Sequence, residues 1–199
     1  MNIRDTLDLL DWRRRVFDLY REVRSAVDPR AAWDRWVAVR DTMLRTHPQS
    51  PVPEAERGAF SLDVFDHDPA ARVDAELEDA EPERFESEAG AFTRFAVARF
   101  AWKGEPASLD AYWLETYGGG VFIPFRDATA GAETYGAGRY VLDTVKGADL
   151  GTTEDGRLVL DFNFAYHPSC AHDPRWVCPL APPANRLPFE VRAGERLRA

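Results

Sequence analysis

The residues best suited to chemistry lie in the second half of the chain. Arg126, Glu133, Tyr135 and Arg139 stand on either side of a turn-forming stretch, in a segment that would pair with itself as a hairpin. An arginine paired with a carboxylate is structural, whereas an unpaired arginine in a cavity can hold a carboxylate or another anion. We therefore expect either an Arg–Glu pair or an anion-binding group here.

A second polar stretch contains Asp161, Asn163 and Tyr166. Asp and Asn are poor strand formers, so at a strand end they would satisfy backbone groups of the next loop or reach a cavity. Tyr166 and Tyr135 could supply a wall and hydroxyls. If the site is catalytic, Asp161 or Glu133 would be the acid–base group, provided that its surroundings move its pKa toward the working pH.

Two cysteines and two histidines lie close together: His167, Cys170, His172 and Cys178. Zinc uses these ligand types, but the spacing is not that of a finger or ribbon, and four ligands in one proline-stiffened loop would converge poorly. We predict no bound metal, with a site of Cys170, His172 and Cys178 as the weaker alternative. We expect both thiols to be reduced packing residues, and a thiol-redox pair remains an alternative.

Two helices in the first fifty residues begin the set of elements that position these groups. Apolar side chains recur three and four residues apart from Leu9 to Val27, which is typical of an amphipathic helix. Asp28 and Pro29 suit the N-cap and first position of a second helix, which Pro48 ends. We expect the tryptophans of both helices to pack against the rest of the fold: Trp12, Trp33 and Trp36.

Beyond residue 90 the hydrophobic pattern repeats every two residues. It predicts strands at 92–102, 109–115, 121–126, 138–144 and 158–162, with shorter candidates at 60–65, 71–77 and 188–192. The acidic stretch 74–88 is expected to be a solvated strand end and loop. Close spacing without intervening helices predicts an antiparallel meander, and closure into a barrel would remove its exposed edges.

The sequence therefore predicts an α+β protein that is mainly β. Two N-terminal helices pack on an antiparallel, barrel-like sheet, with a partly open barrel or a sandwich as alternatives. We expect a helical segment at 1–51 and a β-rich domain at 52–199, forming one cooperative unit. The proline-rich loop 163–188 would fold across one end of the barrel.

The composition limits the partners of this chain. It has 34 acidic against 25 basic residues, a net charge of −9, which disfavours nucleic-acid binding. No apolar run is long enough for a membrane span, the N-terminus does not look like a signal peptide, and two cysteines exclude a disulfide scaffold. We expect a soluble cytoplasmic protein, and its cofactor and oligomeric state remain open.

Two long stretches resemble a known family. They read FIPFRDATAGAETYGAGRY at 122–140 and LVLDFNFAYHPSCAHDPRWVCPLAPPANRLPFEVRAGE at 158–195. They are similar to the uncharacterised bacterial and archaeal family called domain of unknown function 1684. The resemblance implies that both cysteines fit the family pattern, whereas His167 and His172 depart from it, which argues further against zinc. The family has no established activity, so it implies no reaction.

The leading interpretation is a small-molecule site at the barrel mouth, with catalysis left open and a small anion as the expected ligand. It would lie where the hairpin 121–140 meets the segment 161–170. The candidate ligand-binding residues are Arg126, Glu133, Tyr135, Arg139, Asp161, Asn163 and Tyr166. The alternatives are a structural or protein-interaction module, whose polar residues only hold loops together, and a thiol-redox or zinc protein.

Overall fold

The computed structural model describes residues 2–198, which begin with two helices. Helix α1 (Ile3–Ser25) is capped by the side chain of Asn2, and helix α2 (Pro29–Thr46) by the side chain of Asp28. Pro29 occupies the first turn of α2, where its missing N–H costs nothing. Both predicted helices are therefore confirmed. Within residues 2–198, neither helix combines the length and apolar composition that a membrane span requires.

Six antiparallel strands follow the helices. They are β1 (Arg72–Ser87), β2 (Gly90–Trp102), β3 (Glu105–Leu114), β4 (Val121–Phe125), β5 (Arg139–Asp143) and β6 (Leu158–Asp161). Their order is β5-β4-β3-β2-β1-β6, a meander whose last strand returns to pair with the first. The main chains of Tyr140 and Tyr166 then exchange hydrogen bonds of 2.9 and 3.1 Å. This seam nearly closes the sheet into a barrel, which confirms the predicted fold class.

The acidic stretch 74–88 is strand rather than loop, so that prediction was wrong. β1 continues through it to Ser87, and an ion pair between Arg99 of β2 and Glu78 spans the two strands. The register between β1 and β2 shifts around Pro82, which cannot donate a ladder hydrogen bond. Charges on both faces of this part of β1 hide the alternation by which strands are recognised.

Two of the short predicted strands, 60–65 and 188–192, were also wrong. In the first, Val64 alone makes a β-bridge. The second has no strand pairing; instead the N–H of Val191 donates to the carboxylate of Asp127 at 2.7 Å. An alternating pattern indicates which side chains are buried. An irregular segment that packs on the core can have the same pattern without pairing with another strand.

The helices cover the seam of the barrel. Trp36 is completely buried and lies edge-on to Phe164, with 5.5 Å between ring centroids. Trp33 is also buried, whereas Trp12 is half-buried. A second apolar cluster, centred on Phe162, fills the barrel itself. The expectation that helix tryptophans pack therefore holds for Trp33 and Trp36.

Candidate functional site

Arg139 lies inside the barrel wall with its guanidinium held by the protein. It forms an ion pair with Asp127 at 3.2 Å and donates to the carbonyls of Val191, Ala193 and Glu195. Of the three guanidinium nitrogens of Arg139, only Nε has no hydrogen-bond partner within residues 2–198. Burial, opposed by the charge of Asp127, lowers the pKa of Arg139. This guanidinium ties the C-terminal segment to the sheet, and its geometry gives no support to an anion-binding role.

The other charged residues of the predicted hairpin point elsewhere. Glu133 forms a surface ion pair with Arg192 at 3.0 Å, and Arg126 is exposed. β4 and β5 do pair, but residues 126–138 form turns rather than strand. The structure therefore does not bring Arg126, Glu133 and Arg139 together. The actual partners of Glu133 and Arg139 come from the last thirteen residues or from Asp127.

Asp161 and Asn163 clamp the loop that enters β1. The carboxylate of Asp161 accepts from the main-chain N–H of Asn163 at 3.0 Å and from its side-chain amide at 2.8 Å. The same amide group of Asn163 bonds both the N–H and the carbonyl of Asp68. Burial raises the pKa of Asp161. Asp161 also borders a cavity of about 400 Å³ between α1, α2 and β6. The backbone-satisfying role that the sequence suggested is visible here.

Tyr166 belongs to a buried polar cluster that sequence reasoning missed. Its hydroxyl donates to Asp143 at 3.1 Å, and the guanidinium of Arg40 lies 4.7 Å from its ring centroid. Arg40 of α2 forms an ion pair with Glu195, whose side chain is completely buried. These two residues are 155 positions apart, so no local pattern in the sequence could pair them.

His167 connects this cluster to Tyr135. Its main-chain N–H donates to Glu195 at 2.7 Å, and its Nε2 accepts the main-chain N–H of Tyr135 at 3.2 Å. Because Nε2 is an acceptor, the proton of the neutral ring sits on Nδ1, 3.8 Å from the Glu195 carboxylate. Burial lowers the pKa of His167 to about 4, although the charge of Glu195 opposes this.

Tyr135 lines a wide surface cleft, which we call the Tyr135 cleft. It has a volume of about 710 Å³ and separates the β1–β2 turn from the proline-rich loop. Burial and the neighbouring Cys170 thiol raise the pKa of Tyr135. Of the seven predicted ligand-binding residues, Tyr135 is the one that this cleft includes. The lining residues are Phe85, Ser87, Glu88, Tyr135, Cys170, Pro174, Trp176, Val177, Cys178, Leu180, Pro182 and Pro183.

A second cleft, the Trp12 cleft, lies on the other side of segment 176–178. It has a volume of about 520 Å³ and is formed by α1, the chain after α2 and the proline-rich loop. Trp12 and Trp176 form apolar parts of its wall. Arg13 and Lys146 place two positive charges on it, and Asp5 places one negative charge. Sequence reasoning favoured packing over ligand binding for Trp12 and did not single out Trp176.

The two cysteines are free and adjacent, since the main-chain N–H of Cys170 donates to Cys178 Sγ at 3.3 Å. The ring of His172 packs against Phe60 instead, with 5.7 Å between centroids. Within residues 2–198, no three His, Cys, Asp or Glu side chains are grouped as a metal site requires, so Cys170, His172 and Cys178 do not form one. No donor set in this part of the chain supports a zinc centre.

The chain is similar to a protein family and to a solved structure. A family model described as "Protein of unknown function (DUF1684)" matches residues 59–196. The solution NMR structure of an uncharacterised protein from Haloarcula marismortui is similar, with 36% identity and a TM-score of 0.58 over 81% of this chain and 90% of the other. No curated protein matches the chain. All residues of the Tyr135 cleft lie inside the matched range, whereas Trp12 and Arg13 precede it.

Proposed function

The chain belongs to the DUF1684 family of proteins of unknown function, and from this premise we propose that it binds a small, largely apolar molecule in the Tyr135 cleft. The observation that carries the proposal is the cleft itself. Its volume of about 710 Å³ suits a small-molecule site, and it combines an apolar lining with a few polar groups. Those polar groups include the side chains of Tyr135, Cys170 and Cys178.

The lining favours an uncharged ligand. Glu88 carries the only charge among the lining side chains, so nothing in the wall would compensate an anion that leaves water. Val177 and Leu180 are about half exposed, which leaves apolar surface available for a ligand to cover. The cleft also opens beside the β1–β2 turn, at one end of these two strands.

A pair of leucine variants tests this proposal with Nile red, an uncharged aromatic dye, as the probe. In Leu180→Glu a carboxylate enters the cleft wall and would be desolvated by the dye, so we expect at least about tenfold weaker binding, equivalent to about 1.4 kcal/mol. Leu7→Glu makes the same charge change at an exposed leucine outside both clefts. Equal binding by the two variants, or no saturable binding to the wild type, would contradict the proposal.

A second candidate function is binding of a small aromatic anion in the Trp12 cleft. The favouring observation is that Arg13 and Lys146 line the same cleft as the rings of Trp12 and Trp176, where their two positive charges exceed the one negative charge of Asp5. The anion expected from the sequence would then be held by these residues rather than by Arg126 or Arg139. We expect anilinonaphthalene sulfonate to bind severalfold more weakly to Arg13→Gln, whereas Arg14→Gln, an exposed neighbour outside the cleft, should match the wild type.

A structural or interaction module remains the competing explanation. It predicts that neither dye binds saturably to the folded chain. It also predicts that substitutions in either cleft change only stability.

A further inference from the structure

We propose that Cys170 and Cys178 form a reversible dithiol–disulfide pair, in which Cys178 attacks a low-molecular-weight disulfide and Cys170 closes the intramolecular bridge. The proposal assigns a covalent modification site to the proline-rich loop. It is independent of the proposed ligand, because it requires only the two thiols and an external disulfide.

The sulfurs share one small region of the structure. The main-chain nitrogen of Cys170 lies 3.3 Å from Cys178 Sγ, and that nitrogen is three bonds from the sulfur of its own side chain. Both residues are free cysteines, and they are the only two in the chain. Disulfide exchange requires that one sulfur can reach the other, and this arrangement places the two cysteines close enough for that.

The loop around the pair limits its conformations. Pro168 precedes Cys170 and Pro179 follows Cys178, and proline fixes φ and lowers the entropy of the open chain. A short turn in which the N–H of Ala171 donates to the carbonyl of Pro168 at 2.9 Å further holds the first cysteine. The two thiols are therefore kept near each other before any bridge forms.

The surroundings of the two thiols assign different roles to them. Burial and the adjacent Cys178 thiol raise the pKa of Cys170, which disfavours a thiolate on Cys170. The main-chain N–H of Cys170 points at Cys178 Sγ. Cys178 also lines both clefts, so a small disulfide can reach it from solvent. Attack therefore begins at Cys178, and Cys170 acts as the resolving thiol.

The reaction balances as two exchange steps. The Cys178 thiolate attacks one sulfur of the external disulfide, which breaks the S–S bond, expels one small thiolate and leaves a mixed disulfide on Cys178. Cys170 then loses its proton to solvent and attacks Cys178 Sγ, which expels the second small thiolate. Two protein thiols are oxidised and one external disulfide is reduced to two thiols. Excess small thiol reverses both steps.

The bridge can be detected in the full-length folded protein with hydroxyethyl disulfide as the oxidant. After alkylation of remaining thiols, trypsin cleavage at Arg157, Arg175 and Arg186 places the cysteines on separate peptides, 158–175 and 176–186. We expect mass spectrometry to find these two peptides linked, and the linked species to disappear on reduction. Mixed disulfides on both cysteines without linked peptides would overturn the proposal.

A matched pair of serine variants tests the roles. Cys170→Ser should stop at one mixed disulfide on Cys178, whereas Cys178→Ser should form its adduct on Cys170 at least tenfold more slowly. Equal rates for the two variants would overturn the assignment of Cys178 as the attacking thiol. If either variant fails to fold, the linked-peptide result on the wild type still decides whether the pair exists.

Discussion

At the scale of single residues, the charged side chains that matter most here are buried and paired. Arg139 and Glu195 have almost no exposed surface, and each has a charged partner within the protein: Asp127 for the first and Arg40 for the second. Removing one member of such a pair leaves the other charge without compensation in a poorly solvated site. The ion pair of Glu133 with Arg192 is different, because both side chains remain in contact with water.

This contrast predicts unequal effects of two arginine truncations. Arg139→Ala should lower the free energy of unfolding by about 3–5 kcal/mol, because Asp127 and three carbonyls lose their donor. Arg192→Ala should cost no more than about 1 kcal/mol. Urea denaturation of both variants measures the difference. If Arg139→Ala were as stable as the wild type, that result would instead favour a ligand-binding role for Arg139.

His167 should make stability depend on pH. Its pKa of about 4 in the folded protein lies below the ordinary value of 6.5, so the unfolded chain binds more protons between these limits. The stabilisation is present above pH 6.5 and is lost as the pH falls toward 4, by about 3 kcal/mol in total. In His167→Gln, denaturation from pH 7 to 4.5 should show a correspondingly smaller loss.

At the scale of elements, α2 and the C-terminal segment hold the barrel seam from two sides. Trp36 of α2 contacts Phe164, beside the main-chain bonds between Tyr140 and Tyr166. On the other side, Gly194 has a φ of +77°, and a Cβ there would lie 2.4 Å from the carbonyl oxygen of Ala165. Glycine thus permits the close approach of the C-terminal segment to the chain that leaves β6.

Truncating the aromatic anchor of α2 should therefore destabilise the whole fold. For Trp36→Ala we expect a loss of about 3–5 kcal/mol, because a completely buried indole is replaced by a cavity. Tyr117→Ala removes a fully exposed aromatic ring and should change stability by no more than about 0.5 kcal/mol. A small effect in both variants would show that the helices contribute little to the barrel.

At the scale of the whole molecule, one buried residue of the C-terminal segment, Glu195, contacts three other parts of the chain. Glu195 pairs with Arg40 of α2 and accepts the main-chain N–H of His167, and its own carbonyl accepts from Arg139 of β5. Helix, loop, strand and C-terminal segment are thus linked at one point. From these contacts we predict that residues 1–51 and residues 52–199 unfold together.

A fragment of residues 52–199 tests this prediction. Without α2 it leaves Glu195 buried without its cation and exposes the apolar seam, so we expect no cooperative unfolding transition. In the full chain, far-UV circular dichroism and tryptophan fluorescence should give coincident unfolding curves. A fragment that unfolds cooperatively at the wild-type midpoint would mean that the helices form an independent unit.

The sequence alone determined the features that depend on neighbouring residues. Helix periodicity, the Asp28–Pro29 start of α2 and the alternation of β2 to β6 are local patterns, and each reports directly on one element. The same reasoning placed Asp161 and Asn163 at a strand end where they bond backbone groups. In β1 it predicted the strand candidate 71–77 but not the remainder up to Ser87, where charged residues on both faces conceal the period of two.

Only the tertiary structure decided which polar groups meet. Arg40 and Glu195, and likewise Arg139 and Val191, are far apart in sequence, so their pairing depends on how the helices and the C-terminal segment fold onto the barrel. The grouping of Tyr135 with Cys170 and Cys178 in one cleft has the same origin. Residue type and spacing show what a side chain can bind, but the partner that it binds is set by packing between elements that share no local pattern.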